Sequence, residues 1–133
     1  AQFGLPEVKR GLLATAGGLI RLPRTIPYHI AMRYALTGET ISAERAHELG
    51  LVSEVCDAGQ ALAVAGQLAG AIASNGPLAV RACKQIVASA SSWTDAALFE
   101  ESRRIARPVF QSEDAREGAA AFVDKRAPVW RGM

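Results

Sequence analysis

Cysteine, histidine and aromatic residues are all scarce in this chain. There are two cysteines, two histidines, and eight aromatic side chains among 133 residues. Cys56 and Cys83 have no metal-ligand spacing between them, and with no secretion signal they read as reduced thiols. No apolar run approaches the length of a membrane span, and no targeting segment stands out. A net charge of +2, with bases scattered among acids, is too small to point to nucleic acid. Neither the dinucleotide nor the P-loop glycine spacing is present, and there is no internal repeat. These absences exclude a metal centre, a membrane protein, a nucleic-acid binder and a nucleotide loop as first readings.

What is present is apolar and small. Half the residues are apolar and about a fifth are charged, which suits a folded protein rather than a disordered one. Frequent alanine favours closely packed helices. The chain opens at Ala1 rather than at Met, in what reads as mid-motif, so a fragment with an upstream part is expected.

The stretch Phe3–Arg24 concentrates the chemistry. Phe3-Gly4-Leu5-Pro6 is expected to be extended, because Pro6 pushes Leu5 toward β or PPII. Glu7-Val8-Lys9 continues as a short strand or a turn. Ala14-Thr15-Ala16-Gly17-Gly18 then forms a small-residue turn that exposes backbone N–H groups at a helix start. Leu19–Pro23 begins a helical turn, and Pro23 and Pro27 are expected to break or restart it.

Further along, Tyr28–Leu36 reads as a helix closed by Gly38. Ser42 caps Ala43–Leu49, with Glu44 in its first turn, and Gly50 closes it. Leu51–Val55 alternates and is β-branched, which predicts a strand. Ala61–Ser74 follows as a helix with Leu62, Ala65, Leu68, Ala69 and Ile72 at helical spacing. Asn75-Gly76-Pro77 stops it through a left-handed cap and starts the next helix, Leu78–Ala90, with Leu78, Ala82, Ile86 and Val87 inward. Ser91-Ser92 breaks that helix. Trp93–Phe110 is expected to be helical, with Pro108 kinking or fraying its end. Ser112 caps the last helix, Glu113 and Asp114 occupying its first turn and Lys125 and Arg126 its last. Pro128 releases a tail in which Trp130 anchors against a neighbouring surface.

His29 and His47 have no nucleophile or ligand cluster nearby and read as structural or surface residues. Ser42 is a cap, with no nucleophile elbow around it. Cys83 reads as a small buried apolar residue. Lys9, Arg10, Arg21 and Arg24 are either solvated or a basic patch.

Five segments in order carry a resemblance: FGLPEVKRGL, AGGLIRLPR, ALTGETISAERAHELGLVSEV, SNGPLAVRACKQ and FQSEDAREGAAAFVDKRAPVW. Together they resemble the C-terminal half of the crotonase family, the enoyl-CoA hydratases and isomerases. The resemblance implies an α/β fold, the end of a ββα spiral, over residues 1–58. A mostly helical trimerisation and CoA-capping region follows over 59–133, so the fragment itself is predominantly helical.

The resemblance also implies chemistry. An enoyl-CoA thioester binds in an oxyanion hole whose two N–H donors lie upstream of Ala1. Two glutamates flank a catalytic water. One is upstream, and the other falls on the Pro6-Glu7 pair, making Glu7 the general acid/base. A carboxyl group can deliver or remove a proton when burial brings its pKa toward neutrality. Pro6, Thr15, Gly17 and Gly18 would surround substrate and water. Many family members read PGAGG where this chain has Ala14-Thr15-Ala16-Gly17-Gly18, and the Thr15 N–H matches one that lies close to the water. Ala106 stands where an aromatic often lines the CoA site of a neighbouring subunit. Lys125 matches a basic residue that reaches CoA phosphates from an adjacent subunit.

The implied function is hydration of the 2,3 double bond of an enoyl-CoA. Isomerisation or another acyl-CoA transformation is the alternative, and a non-catalytic oligomerisation module is the second alternative. Coenzyme A is part of the substrate, so no cofactor or metal is implied. The implied assembly is a homotrimer or a dimer of trimers, in the cytoplasm, with no nucleic-acid or membrane partner. The chain alone is expected to be inactive.

Overall fold

The computed structural model describes residues 1–133, which divide into two units, Ala1–Leu62 and Ala63–Met133. The chain is mostly helical, with one two-stranded sheet. No helix is long and apolar enough to cross a membrane.

In the first unit, strand β1 (Gln2–Gly4) pairs antiparallel with β2 (Thr40–Ser42), Phe3 lying opposite Ile41. Leu5 precedes Pro6 at φ −123 and ψ 75, short of the fully extended conformation expected for it, and Pro6–Arg10 then forms one 3-10 turn with proline in its first position. Gly11 ends that turn at φ +68, a conformation glycine adopts without steric cost. Helices α1 (Gly18–Thr25) and α2 (Tyr28–Thr37) pack on each other, and α2 also packs on the 3-10 turn. Helix α3 (Ala43–Glu48) starts at Ser42, whose hydroxyl accepts the Arg45 N–H at 3.1 Å, the N-cap bond expected of serine there. The buried core is small: Ala14, Ile26, Ala31, Ile41 and Ala46.

The second unit contains most of helix α4 (Ala61–Ala73), then α5 (Pro77–Ser89), a 3-10 turn at Ala90–Ser92, α6 (Leu98–Phe110) and α7 (Glu113–Val123). Helix α6 packs against both α5 and α7. Ser112 caps α7 by accepting the Ala115 N–H at 3.0 Å. Ala82, Ile105 and Ala121 are buried together with the polar residues Ser112 and Asp114.

Several expectations are corrected. Leu51–Val55 is not a strand: the N–H groups of Leu51 and Val52 both turn back to the Ala46 carbonyl, and no strand lies beside them. The sheet forms instead at Thr40–Ser42. Pro23 does not break α1, because the missing N–H removes a single bond and the helix ends two residues later, where Ile26 donates to Leu22 at 3.1 Å. Pro108 lies inside α6, in its last turn, two residues before the end at Phe110. That helix starts at Leu98, not Trp93, because Trp93 is extended and Thr94–Ala97 form a separate turn.

Neither Asn75 nor Gly76 is left-handed; Asn75 caps α4 through its side chain, donating Nδ2–H to the Ala71 carbonyl at 2.8 Å. Leu62 and Val87 are exposed, at 86% and 78%, so the helical spacing did not mark their burial. Cys83 is exposed as well. Helix α7 ends at Val123, which leaves Lys125 and Arg126 beyond it rather than in its last turn.

The tail is not free. It folds back along α7. The Met133 carbonyl accepts the N–H groups of Glu113 and Asp114 at 2.8 and 3.2 Å. The Asp114 carboxylate in return accepts those of Arg131 and Gly132 at 2.7 and 2.9 Å. Trp130 therefore packs inside its own unit, its Nε1–H donating to the Ser74 carbonyl at 2.8 Å. Gly76 and Gly118 flank the indole; a Cβ on Gly118 would lie 3.2 Å from the ring.

Candidate active site

The 3-10 turn fixes where Glu7 points. The Leu12 N–H donates to the Glu7 carbonyl at 3.1 Å and that of Gly11 to Val8 at 3.2 Å, so the backbone on either side of the carboxylate is tied down. The side chain is half-buried, and its Oε2 is fully buried with no hydrogen-bond partner in the protein. It reaches the wall of a cavity of about 340 Å³. The other walls come from Leu12 and Leu13 after the turn, Leu19 and Leu22 of α1, and Met32 of α2. Glu7 is the one charged residue among those lining it, and Tyr28 supplies the only other polar side chain. A carboxylate oxygen out of water without a donor is unfavourable, and such exceptions call for an explanation. A carboxyl group on the wall of an apolar cavity is a candidate for proton transfer with a bound molecule.

The other residues expected around the water lie off the cavity wall. Pro6 starts the 3-10 turn. The Thr15 N–H is taken by the Leu13 carbonyl at 3.0 Å. Gly17 and Gly18 serve the turn in different ways. Gly17 has φ +96, and its carbonyl accepts the N–H groups of Ile20 and Arg21. A Cβ on Gly18 would meet a Leu5 methyl at 2.6 Å. One glycine thus supplies backbone freedom and the other lets α1 approach Leu5.

Lys125 belongs to the second unit, just beyond α7. It has φ +51, alone among non-glycine residues in being left-handed, a conformation that costs about 1 kcal/mol or more with a Cβ present. Beside it, Arg126 makes a two-pronged bond to Glu117 at 2.6 and 3.0 Å. Ala106 is half-buried on α6, His29 is exposed, and His47 Nδ1 lies 3.3 Å from the Val52 carbonyl.

The Arg126 guanidinium, helped by the Val129 N–H, holds the Glu117 carboxyl down from its ordinary 4.5 to about 2. Arg126 is correspondingly raised. Because the folded pKa lies below the unfolded one, the pair's stabilisation is complete above about pH 4.5 and is lost as pH falls toward 2. Solvent keeps the contribution modest. Denaturant titrations across that window are expected to show a steeper acid loss for the wild type than for Glu117→Gln; identical profiles would contradict this.

A family model described as enoyl-CoA hydratase/isomerase matches residues 1–133. The chain belongs to the enoyl-CoA hydratase/isomerase family. Among relatives in this family, the enoyl-CoA hydratase EchA19 of Mycobacterium tuberculosis is 43% identical over 128 residues, covering 96% of this chain and 48% of that protein. The 2,3-dehydroadipyl-CoA hydratase of Escherichia coli is 37% identical over 132 residues, covering 99% and 52%. A crystal structure of enoyl-CoA hydratase from M. tuberculosis H37Rv superposes with a TM-score of 0.96 at 53% identity, covering all of this chain and 53% of that one. The chain therefore shares the crotonase-like fold, and it spans about half the length of these family members.

The cavity wall around Glu7 has no local sequence signal, because it joins Leu12 and Leu13 to residues of α1 and α2. The Glu117–Arg126 pair was missed outright, because nine residues of separation match no helical pairing rule.

Proposed function

We propose that this chain supplies the general acid/base carboxylate, Glu7, of an enoyl-CoA hydratase that adds water across the 2,3 double bond of an enoyl-CoA thioester. The observation that carries the reading is the buried, unpartnered Oε2 of Glu7 at the edge of an apolar cavity. In hydration, one carboxyl group takes a proton from water while a proton is delivered to the α-carbon, and an acyl chain fits an aliphatic wall. Coenzyme A enters as part of the substrate, with no separate cofactor or metal. Lys125 contacts a CoA phosphate from an adjacent subunit, in a homotrimer or a dimer of trimers in the cytoplasm. Residues 1–58 form the end of the spiral core and 59–133 the trimerisation region.

Isomerisation is the second reading. Glu7 is the one carboxylate on the cavity wall, and one carboxylate suffices to move a proton between two carbons.

Full-length protein given a 2-enoyl-CoA in ¹⁸O-water is expected to lose the conjugated enoyl absorbance and to place ¹⁸O in the product. Conversion of a 3-enoyl-CoA without ¹⁸O uptake, and no action on the 2-enoyl thioester, would establish the isomerase instead. The 133-residue chain alone is expected to do neither.

A further inference from the structure

The left-handed residue at the end of α7 has an unusual neighbourhood. The closing bonds are those of a standard helix terminus: the Lys125 N–H donates to Phe122 at 3.4 Å and the Arg126 N–H to Ala121 at 3.0 Å. Glycine ordinarily takes the left-handed place in this motif. Here a lysine takes it and bears the steric cost, which points to a use for its side chain. Lys125 forms no ion pair.

The following residue is held firmly. Arg126 Nη1 and Nη2 donate to the two oxygens of Glu117, Nε lies 3.4 Å from Asp124 Oδ2, and Nη1 also reaches the Ala127 carbonyl at 3.3 Å. Glu117 Oε1 accepts in addition the Val129 N–H at 2.8 Å. The backbone is therefore fixed on the helix side of Lys125 by Ala121 and Phe122, and on the tail side by Glu117. A planar guanidinium fork fixes direction as well as distance, which a flexible ammonium does not. It also occupies Glu117, which leaves the Lys125 charge unquenched by that acid.

We infer that Glu117 and Arg126 form a clamp that holds the left-handed turn at Lys125 and so positions its ammonium for a phosphate of the CoA moiety. They are positioning residues and touch no substrate. This inference rests on the proposed role of Lys125 as a phosphate contact.

The test uses the full-length protein and two substrates, a short 2-enoyl-CoA and the same enoyl group on pantetheine, which lacks the nucleotide phosphates. The readout is the ratio of their KM values. Lys125→Ala is expected to raise the KM for the CoA substrate relative to pantetheine by about tenfold. Glu117→Gln and Arg126→Lys are each expected to raise it by about threefold through misplacement of the ammonium, with kcat unchanged. In a Lys125→Ala background they are expected to add nothing.

If Lys125→Ala moves the ratio and neither clamp variant does, the clamp is overturned while the phosphate contact stands. A clamp variant that moves the ratio equally without Lys125 also overturns it. An unmoved ratio in Lys125→Ala removes the phosphate contact and the clamp with it. Arg126→Lys keeps charge and bulk, so it gives the same reading should Glu117→Gln fail to fold.

Discussion

Glu7→Gln in the full-length protein is expected to lower kcat for enoyl-CoA hydration by about two orders of magnitude or more, with a near-native melting curve. That loss corresponds to about 2.7 kcal/mol in the barrier, within the range for removing a general acid/base. Gln matches Glu in size, so the cavity wall formed with Leu12, Leu13 and Met32 keeps its shape. It can neither accept nor release a proton at the reacting carbon. Stability is spared because Oε2 has no protein partner to lose. KM for the CoA substrate is expected to change little. Stopped-flow loss of enoyl absorbance, alongside thermal melts, checks both halves of the expectation. Hydration within a few-fold of wild type would end the assignment of Glu7 as the acid/base.

The second large effect is on stability. Asp114→Ala is expected to cost about 3 kcal/mol, read as a lower denaturation midpoint at unchanged slope. Asp114 is 5% exposed, and its carboxylate accepts two tail N–H groups. Hydrogen bonds to a charged group contribute about 1.5–3 kcal/mol each, and removing the acceptor leaves two donors unpaired. Met133 answers from the other side by accepting the N–H groups of Glu113 and Asp114, so the loss is reciprocal. Asp114→Asn retains one acceptor oxygen and is expected to lose about half as much. A cost below about 0.5 kcal/mol, the size of an ordinary surface change, would mean that the carboxylate does not hold the tail.

Local chemistry was the legible part of the sequence. Ser42 and Ser112 cap helices because each offers a hydroxyl to an orphan N–H, and Gly38 ends α2 at φ +64. Those features depend on three or four neighbouring residues. The sheet was misplaced because β1 and β2 are short and far apart in sequence, and pairing, rather than intrinsic preference, decides which segment becomes a strand. The tail was misread because its partners are distant: Ser74 for Trp130, and Asp114 for Arg131 and Gly132.

The same contrast holds at the site. Glu7 was singled out as a candidate from the Pro6-Glu7 pair and the family resemblance. Its apolar surroundings come from α1 and α2 folding back over the turn, which no local pattern states. Apolar spacing marked helices correctly without marking burial, as exposed Leu62 and Val87 show. Each unit has few fully buried side chains, so most apolar helix positions have nothing to be buried against.

The seating of Trp130 has a consequence for biosynthesis. Its indole joins the α4–α5 corner at Ser74 to a point 56 residues later, and the next three residues complete the first turn of α7 from outside. A nascent chain can form α4 to α7 as they emerge, but it cannot close this unit until residues 130–133 have left the ribosome. Until then the groove between Gly76 and Gly118 stays open, and the first turn of α7 lacks four of its hydrogen bonds. The second unit is therefore locked only after its helices have been made, by residues 130–133, and until then it is open to proteolysis and misassembly.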